Sequence, residues 1–88
     1  MREIRRASRF KKDYKKAKKQ HKDIGLLQSV ITNLANGKSL PPQFQDHPLG
    51  GNWNKYRELH LESDWLLIYK LTPTELQLAR LGSHSELF

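Results

Sequence analysis

RELHLESDWLLIYKL, residues 57–71, is the stretch that decides the fold. Its second half, Trp65 to Leu71, is almost wholly apolar. Such a run marks a strand covered on both faces, which belongs in the middle of a sheet. Its first half closes a strand predicted over Trp53 to Leu61. Side chains alternate along a strand, so Arg57, Leu59 and Leu61 point one way and Tyr56, Glu58 and His60 the other. The leucines should face a core, and His60 should look out from the opposite face of the sheet. The turn leaves one choice open. A three-residue loop, Leu61 to Ser63, pairs His60 with Asp64 on one face, whereas a two-residue loop sends them to opposite faces.

Downstream, Thr72-Pro73-Thr74 makes a turn into a third strand, Leu76 to Leu81, ended by Gly82 and followed by a tail to Phe88. Upstream, Leu40-Pro41-Pro42 opens a loop that runs to about Asn52, in which Pro48 and Gly50-Gly51 argue against regular structure. Before it, Leu27, Val30, Ile31, Leu34 and Ala35 repeat at helical spacing. Asp23 supplies an N-cap for that helix, and Asn36-Gly37 a C-terminal stop. An earlier helix is expected from Arg9 to about Gln20, capped by Ser8. Its narrow apolar stripe is Phe10, Tyr14, Ala17 and His21, and lysines cover the rest. Arg2 to Arg6 reads as a short edge strand. The order is β-α-α-β-β-β. The prediction is one α+β domain over residues 1–88, with a helical hairpin packed on one face of a small, mostly antiparallel sheet. No internal repeat or low-complexity segment interrupts it.

Charge is uneven along the chain. Residues 1–40 carry twelve Lys and Arg against three Asp and Glu, and residues 41–88 carry four against six. A one-sided basic block points to a polyanionic or acidic partner. The absence of cysteine excludes a disulfide framework and thiolate metal ligands, and fits a cytoplasmic location. No apolar run approaches the roughly 20 residues that span a bilayer, and no apolar signal segment follows the N-terminal charges, so no membrane role is expected.

Four histidines are present. His21 lies on the first helix and reads as a packing or surface residue. His47, His60 and His84 sit in loops and at strand ends, where functional groups concentrate. Two chemistries suit them. Three histidines and a carboxylate make a valid zinc set, although no HxH or HxxxH spacing supports it. The other is RNA cleavage without metal. A base takes the proton of a 2′-hydroxyl, the oxygen attacks the neighbouring phosphorus, and an acid protonates the departing 5′-oxygen. Histidine serves both steps because its ordinary pKa lies near 6.5. Asp64 can orient a histidine, and the planar fork of Arg80 matches phosphate oxygens.

At these residues the chain resembles a known family. Asp46-His47-Pro48-Leu49-Gly50-Gly51-Asn52-Trp53, Tyr56-Arg57, His60, Asp64-Trp65, Leu67-Ile68-Tyr69 and the tail Gly82-Ser83-His84 to Leu87-Phe88 are similar to the YafQ branch of the RelE/ParE toxin superfamily. The resemblance covers nearly the whole chain, and residues 46–69 are its most specific part. It implies a type II toxin–antitoxin toxin that enters the ribosomal A site and cuts messenger RNA there without metal or other cofactor. Carried over by position, His47, His60, Asp64 and His84 match the acid–base residues. His84 is then the acid, His60 or Asp64 the base, and His47 and Arg80 the phosphate ligands. Trp65 and Phe88 match residues beside the site. Phe88 can stack on a base or anchor the C-terminus in the core. Ser63 stands where relatives often carry proline, which leaves the turn before Asp64 less constrained.

The resemblance also implies an acidic RelB/DinJ-like antitoxin, with operator DNA bound only through the toxin–antitoxin pair. The lysines of the first helix, among them Lys15, Lys16 and Lys19, are candidates for ribosomal RNA or an acidic peptide. Two other functions stay open: a ParE-like gyrase poison and a non-catalytic RNA-binding module. Neither needs a convergent acid–base set.

Overall fold

The computed structural model describes all residues, 1–88, and places the apolar strand Trp65–Leu71 (β4) at the centre of a five-stranded sheet. The strands are β1 (Glu3–Arg6), β2 (His47–Pro48), β3 (Arg57–Glu62), β4 and β5 (Glu75–Gly82), in the spatial order β1-β5-β4-β3-β2. Helices α1 (Ser8–Lys19) and α2 (Ile24–Ala35) follow β1, and a short α3 (His84–Leu87) closes the chain. The pairs β2–β3, β3–β4 and β4–β5 are antiparallel, and β1 joins β5 in parallel. The α+β reading with a mostly antiparallel sheet holds. No helix is long and apolar enough to cross a membrane.

β4 is buried on both faces, as its composition requires. Trp65, Leu67 and Tyr69 join Leu59, Leu61, Leu76, Leu78 and Leu81 under the two helices. From above they meet Phe10, Ala17, Leu27, Val30, Ile31 and Leu34. On the other face Leu66 and Ile68 lie under Leu87 of α3, with Leu49, Trp53 and Tyr56 packed beside them. This second, smaller cover is what the sequence reading left out.

Several local expectations change. Residues 83–88 are not an unstructured tail. Ser83 and Glu86 form a reciprocal capping box, in which the Ser83 hydroxyl accepts the Glu86 N–H at 3.3 Å and Glu86 accepts the Ser83 N–H at 2.9 Å. The loop after Pro41 holds two 3₁₀ turns, Pro42–Phe44 and Gly51–Trp53, and the strand β2. Pro48 is tolerated there because β2 is the outermost strand. The second 3₁₀ turn delays the start of β3 to Arg57. Asp23 does cap α2, accepting the Leu26 N–H at 3.0 Å, and Gly37 at φ +74° follows the helix end. Ser8 caps nothing: Ala7 holds the N-cap position of α1. His21 leaves the apolar stripe, exposed at φ +58° just after α1.

α1 is tied to β5 where β1 stops. β1 reaches only to Leu78 of β5, so the edge of β5 beyond it is open. There Asp13 accepts the Leu81 N–H at 3.0 Å and both Nε and Nη2 of Arg80, at 2.8 and 3.3 Å. One carboxylate thus satisfies an unpaired strand group and fixes the helix at that end of the sheet.

Leu67 is fully buried between the helices and the sheet. Leu67→Ala is expected to lower stability by about 2–5 kcal/mol, seen as a lower urea midpoint at unchanged m-value. A loss below about 1 kcal/mol would mean that the helix-side core does not close over β4 as described.

Candidate active site

The β3–β4 turn resolves the register question by a bulge. His60 pairs with Leu66 and Glu62 with Trp65, so the extra residue Leu61 is absorbed in β3. Leu61 stays under the helices while His60 remains on the opposite face. Asp64 sits in a two-residue turn between the paired Glu62 and Trp65 and does not face His60 across the strands. Instead its carboxylate reaches α3. Oδ1 accepts the backbone N–H of His84 and lies 3.0 Å from its ring Nδ1. An acceptor-only carboxylate places the proton on Nδ1, which leaves the lone pair of the neutral His84 ring on Nε2. The two hydrogen bonds from His84, backbone first and ring second, hold the Asp64 carboxyl below its usual range.

Three histidines converge on this face. The ring centroids of His47 and His60 are 6.3 Å apart and those of His60 and His84 are 5.7 Å apart. They come from β2, β3 and α3. His47 Nδ1 donates to the Gln45 carbonyl at 2.6 Å, so its neutral form carries the lone pair on Nε2.

Glu58 is the residue the sequence reading did not use. It stands on the same strand and face as His60 and is the one charged side chain in the buried set. Its Oε1 lies 3.4 Å from His60 Nε2 and 3.8 Å from His47 Nε2. The signal was the spacing Glu58-x-His60 on one strand face.

Other expected members are placed differently. Trp65 is only 2% exposed and packs under the helices, while also lining the cleft beside Asp64. Arg80 is held by Asp13, whose hydrogen bonds raise its pKa, and its expected role as free phosphate fork gives way to a structural ion pair. Lys16 pairs with Glu86 of α3, holding that carboxyl below its usual range, while Lys15 and Lys19 are exposed along α1. Phe88 is 57% exposed, with its ring 6.3 Å from that of His84, and Leu87 is the C-terminal anchor instead. Beside Asp64 a cleft of about 550 Å³ opens, lined by Gln20, Lys22, Glu62, Ser63, Ser83 and Ser85 among others.

The same groups can hold a metal. Ligand atoms of Glu58, His60 and His84 all lie within 4.8 Å of one another, and two imidazoles with a carboxylate suit zinc or copper.

A helix pair covers one face of the sheet and a histidine–carboxylate cluster stands on the other, an arrangement that agrees with the resemblance to the RelE/ParE toxin superfamily. Residues 2–88 match the family described as bacterial toxin of type II toxin–antitoxin system, YafQ, and the chain belongs to that family. It is 46% identical over 88 residues to the mRNA interferase toxin YafQ of Escherichia coli K12, covering 99% of this chain and 96% of that one. The toxin in the crystal structure of the E. coli DinJ–YafQ toxin–antitoxin complex superposes with a TM-score of 0.92 at 45% identity, over 99% of this chain and 97% of that one. A metal-bound toxin from Helicobacter pylori superposes with a TM-score of 0.94 at 44% identity, over the full length of both chains.

Because the folded state depresses the Asp64 pKa, the tie to α3 is fully present above about pH 4 and is lost as pH falls through the lowered value. The protection factor of the His84 amide, taken against its intrinsic exchange rate at each pH, should therefore fall in acid before global unfolding. Equal protection of His84 in the parent and in Asp64→Asn across that range would contradict the tie.

Proposed function

We propose that this chain is the toxin of a type II toxin–antitoxin pair and acts as a ribosome-dependent mRNA endoribonuclease, an mRNA interferase, by acid–base chemistry that needs no metal. The observation that carries the reading is the convergence of His47, Glu58, His60 and the Asp64–His84 pair from two strands, a turn and a helix onto one face of the sheet. The 46% identity to an mRNA interferase toxin supports it.

The geometry favours definite roles. His84, held through Nδ1 by Asp64, presents Nε2 as the acid that gives a proton to the departing 5′-oxygen. Asp64 is engaged by His84 and its pKa is lowered, which makes it a weak base. His60 is the better base. It takes the 2′-hydroxyl proton, and Glu58 stabilises the imidazolium that forms. The 2′-oxygen bonds to phosphorus, the bond to the 5′-oxygen breaks, and a 2′,3′-cyclic phosphate is left. His47 is placed to stabilise the charge on phosphorus. The exposed Phe88 ring stacks on a base, a contact of about 1–3 kcal/mol. The exposed lysines of α1, Lys15 and Lys19, face ribosomal RNA, and the partner that neutralises the toxin is an acidic DinJ-like antitoxin. Operator DNA is reached only through that complex, and the site of action is the cytoplasm. A gyrase poison or a plain RNA-binding module would not require the Asp64–His84 tie.

The test is primer extension on mRNA in a purified translation system with EDTA-treated protein. Discrete cuts are expected from the parent, and His84→Ala should slow them by about 10²–10⁴-fold while ribosome binding persists. No cuts by the parent, with translation unaffected, would overturn the enzyme reading. Added Zn²⁺ is expected to inhibit, because ligation of His60 and His84 removes the lone pairs that move protons. Loss of cleavage in EDTA and its return with zinc would overturn the metal-free mechanism instead.

A further inference from the structure

His47 enters the site from β2, a strand of only two residues, held to β3 by the pairs His47–Glu58 and Pro48–Arg57. So short a ladder on the outer edge of the sheet cannot fix a side chain by itself. Just before it, Gln45 turns the chain in the left-handed region, at φ +49°, an unfavourable conformation for a residue with a side chain. Something must hold residues 45–47 in place.

Asp46 lies at the centre of that hold. Its Oδ2 accepts the Tyr69 hydroxyl at 2.6 Å, and its Oδ1 accepts Arg57 Nε at 3.0 Å. Arg57 Nη2 also lies 3.5 Å from the Asp46 carbonyl oxygen. Arg57 and Tyr69 are themselves cross-strand partners on β3 and β4. The carboxylate therefore ties the edge segment past its neighbour strand to the central one. Tyr69 is fully buried, and burial first, then the Asp46 carboxylate, push its hydroxyl pKa well above the usual phenol range. A buried hydroxyl of that kind stays a donor, and losing its acceptor would leave it unsatisfied.

We infer that Asp46, Arg57 and Tyr69 form a positioning clamp for His47. By fixing Asp46 they hold the neighbouring Gln45 carbonyl 2.6 Å from His47 Nδ1. That contact keeps the proton on Nδ1 and turns Nε2 toward Glu58 and the site. The clamp touches no substrate and acts only through His47. The inference rests on the proposal above that His47 serves RNA cleavage.

Tyr69→Phe removes one oxygen and keeps the ring in the core, and Asp46→Ala removes the carboxylate. In the ribosomal cleavage assay Tyr69→Phe is expected to lower kcat by about tenfold and Asp46→Ala by about 100-fold, with KM unchanged. Neither should lower activity further in a His47→Ala background. Imidazole ¹⁵N spectra should show His47 protonated at Nδ1 in the parent and averaged between tautomers in Asp46→Ala. Losses that multiply with His47→Ala, or a His47 tautomer unchanged in Asp46→Ala, would overturn the clamp. Full activity of His47→Ala would remove His47 from the cleavage mechanism, while the ¹⁵N spectra would still decide whether the clamp sets its tautomer.

Discussion

Burial of β4 on both faces is the constraint to which the rest of the molecule answers. Trp65, Leu67 and Tyr69 on one side and Leu66 and Ile68 on the other are all within 2% of full burial. A strand of this kind needs two covers. The helical hairpin supplies the first. In an 88-residue chain little material is left for the second, and it is assembled from one turn of helix and a loop. Leu87 seats that turn over Leu66 and Ile68. The residue that starts the turn is His84, so the act of covering the core delivers a second imidazole to the face where His60 stands. Core packing and the candidate site share one element.

Carboxylates then fix what packing alone leaves loose. Asp13 locks α1 to the open edge of β5, Asp46 ties β2 to β4, Asp64 holds the start of α3, and Glu86 caps that helix while meeting Lys16. Each of these acids joins segments that no ladder of backbone hydrogen bonds connects. Glu58 differs. It is buried against two imidazoles without a close cationic partner of fixed charge, and it joins β3 to the cluster rather than one segment to another. The acidic residues of the C-terminal half are largely consumed in this way. The lysines of α1 are mostly left facing solvent, a surface suited to polyanions.

The relatives show how such a domain is used. An E. coli YafQ of the same fold is held in complex with DinJ, and a Helicobacter pylori toxin of the same fold binds metal. The second fact bears on the histidine cluster here, since Glu58, His60 and His84 form a metal-competent set. Proton transfer and metal ligation draw on the same nitrogen lone pairs, so a metal held there would compete with the proposed proton transfer.

The sequence by itself determined the element order, the central place of Trp65–Leu71, the outward face of His60 and the basic character of α1. These depend on periodicity, composition and local capping, which are written within a few residues of one another. Helix α3 was also locally legible, in the spacing Ser83-x-x-Glu86, but a six-residue polar-looking end does not announce that it will fold back. Only the tertiary structure decided the rest. The bulge at Leu61 settled where Asp64 points, because it depends on both the turn and the packing of Leu61 under the helices. The burial of Trp65 and the capture of Arg80 by Asp13, 67 residues away in sequence, were likewise set by long-range packing. Glu58 gained its meaning only when His47 arrived from another strand. Such pairings join segments distant in the chain, and their geometry is set by how the whole core closes, which no local pattern encodes.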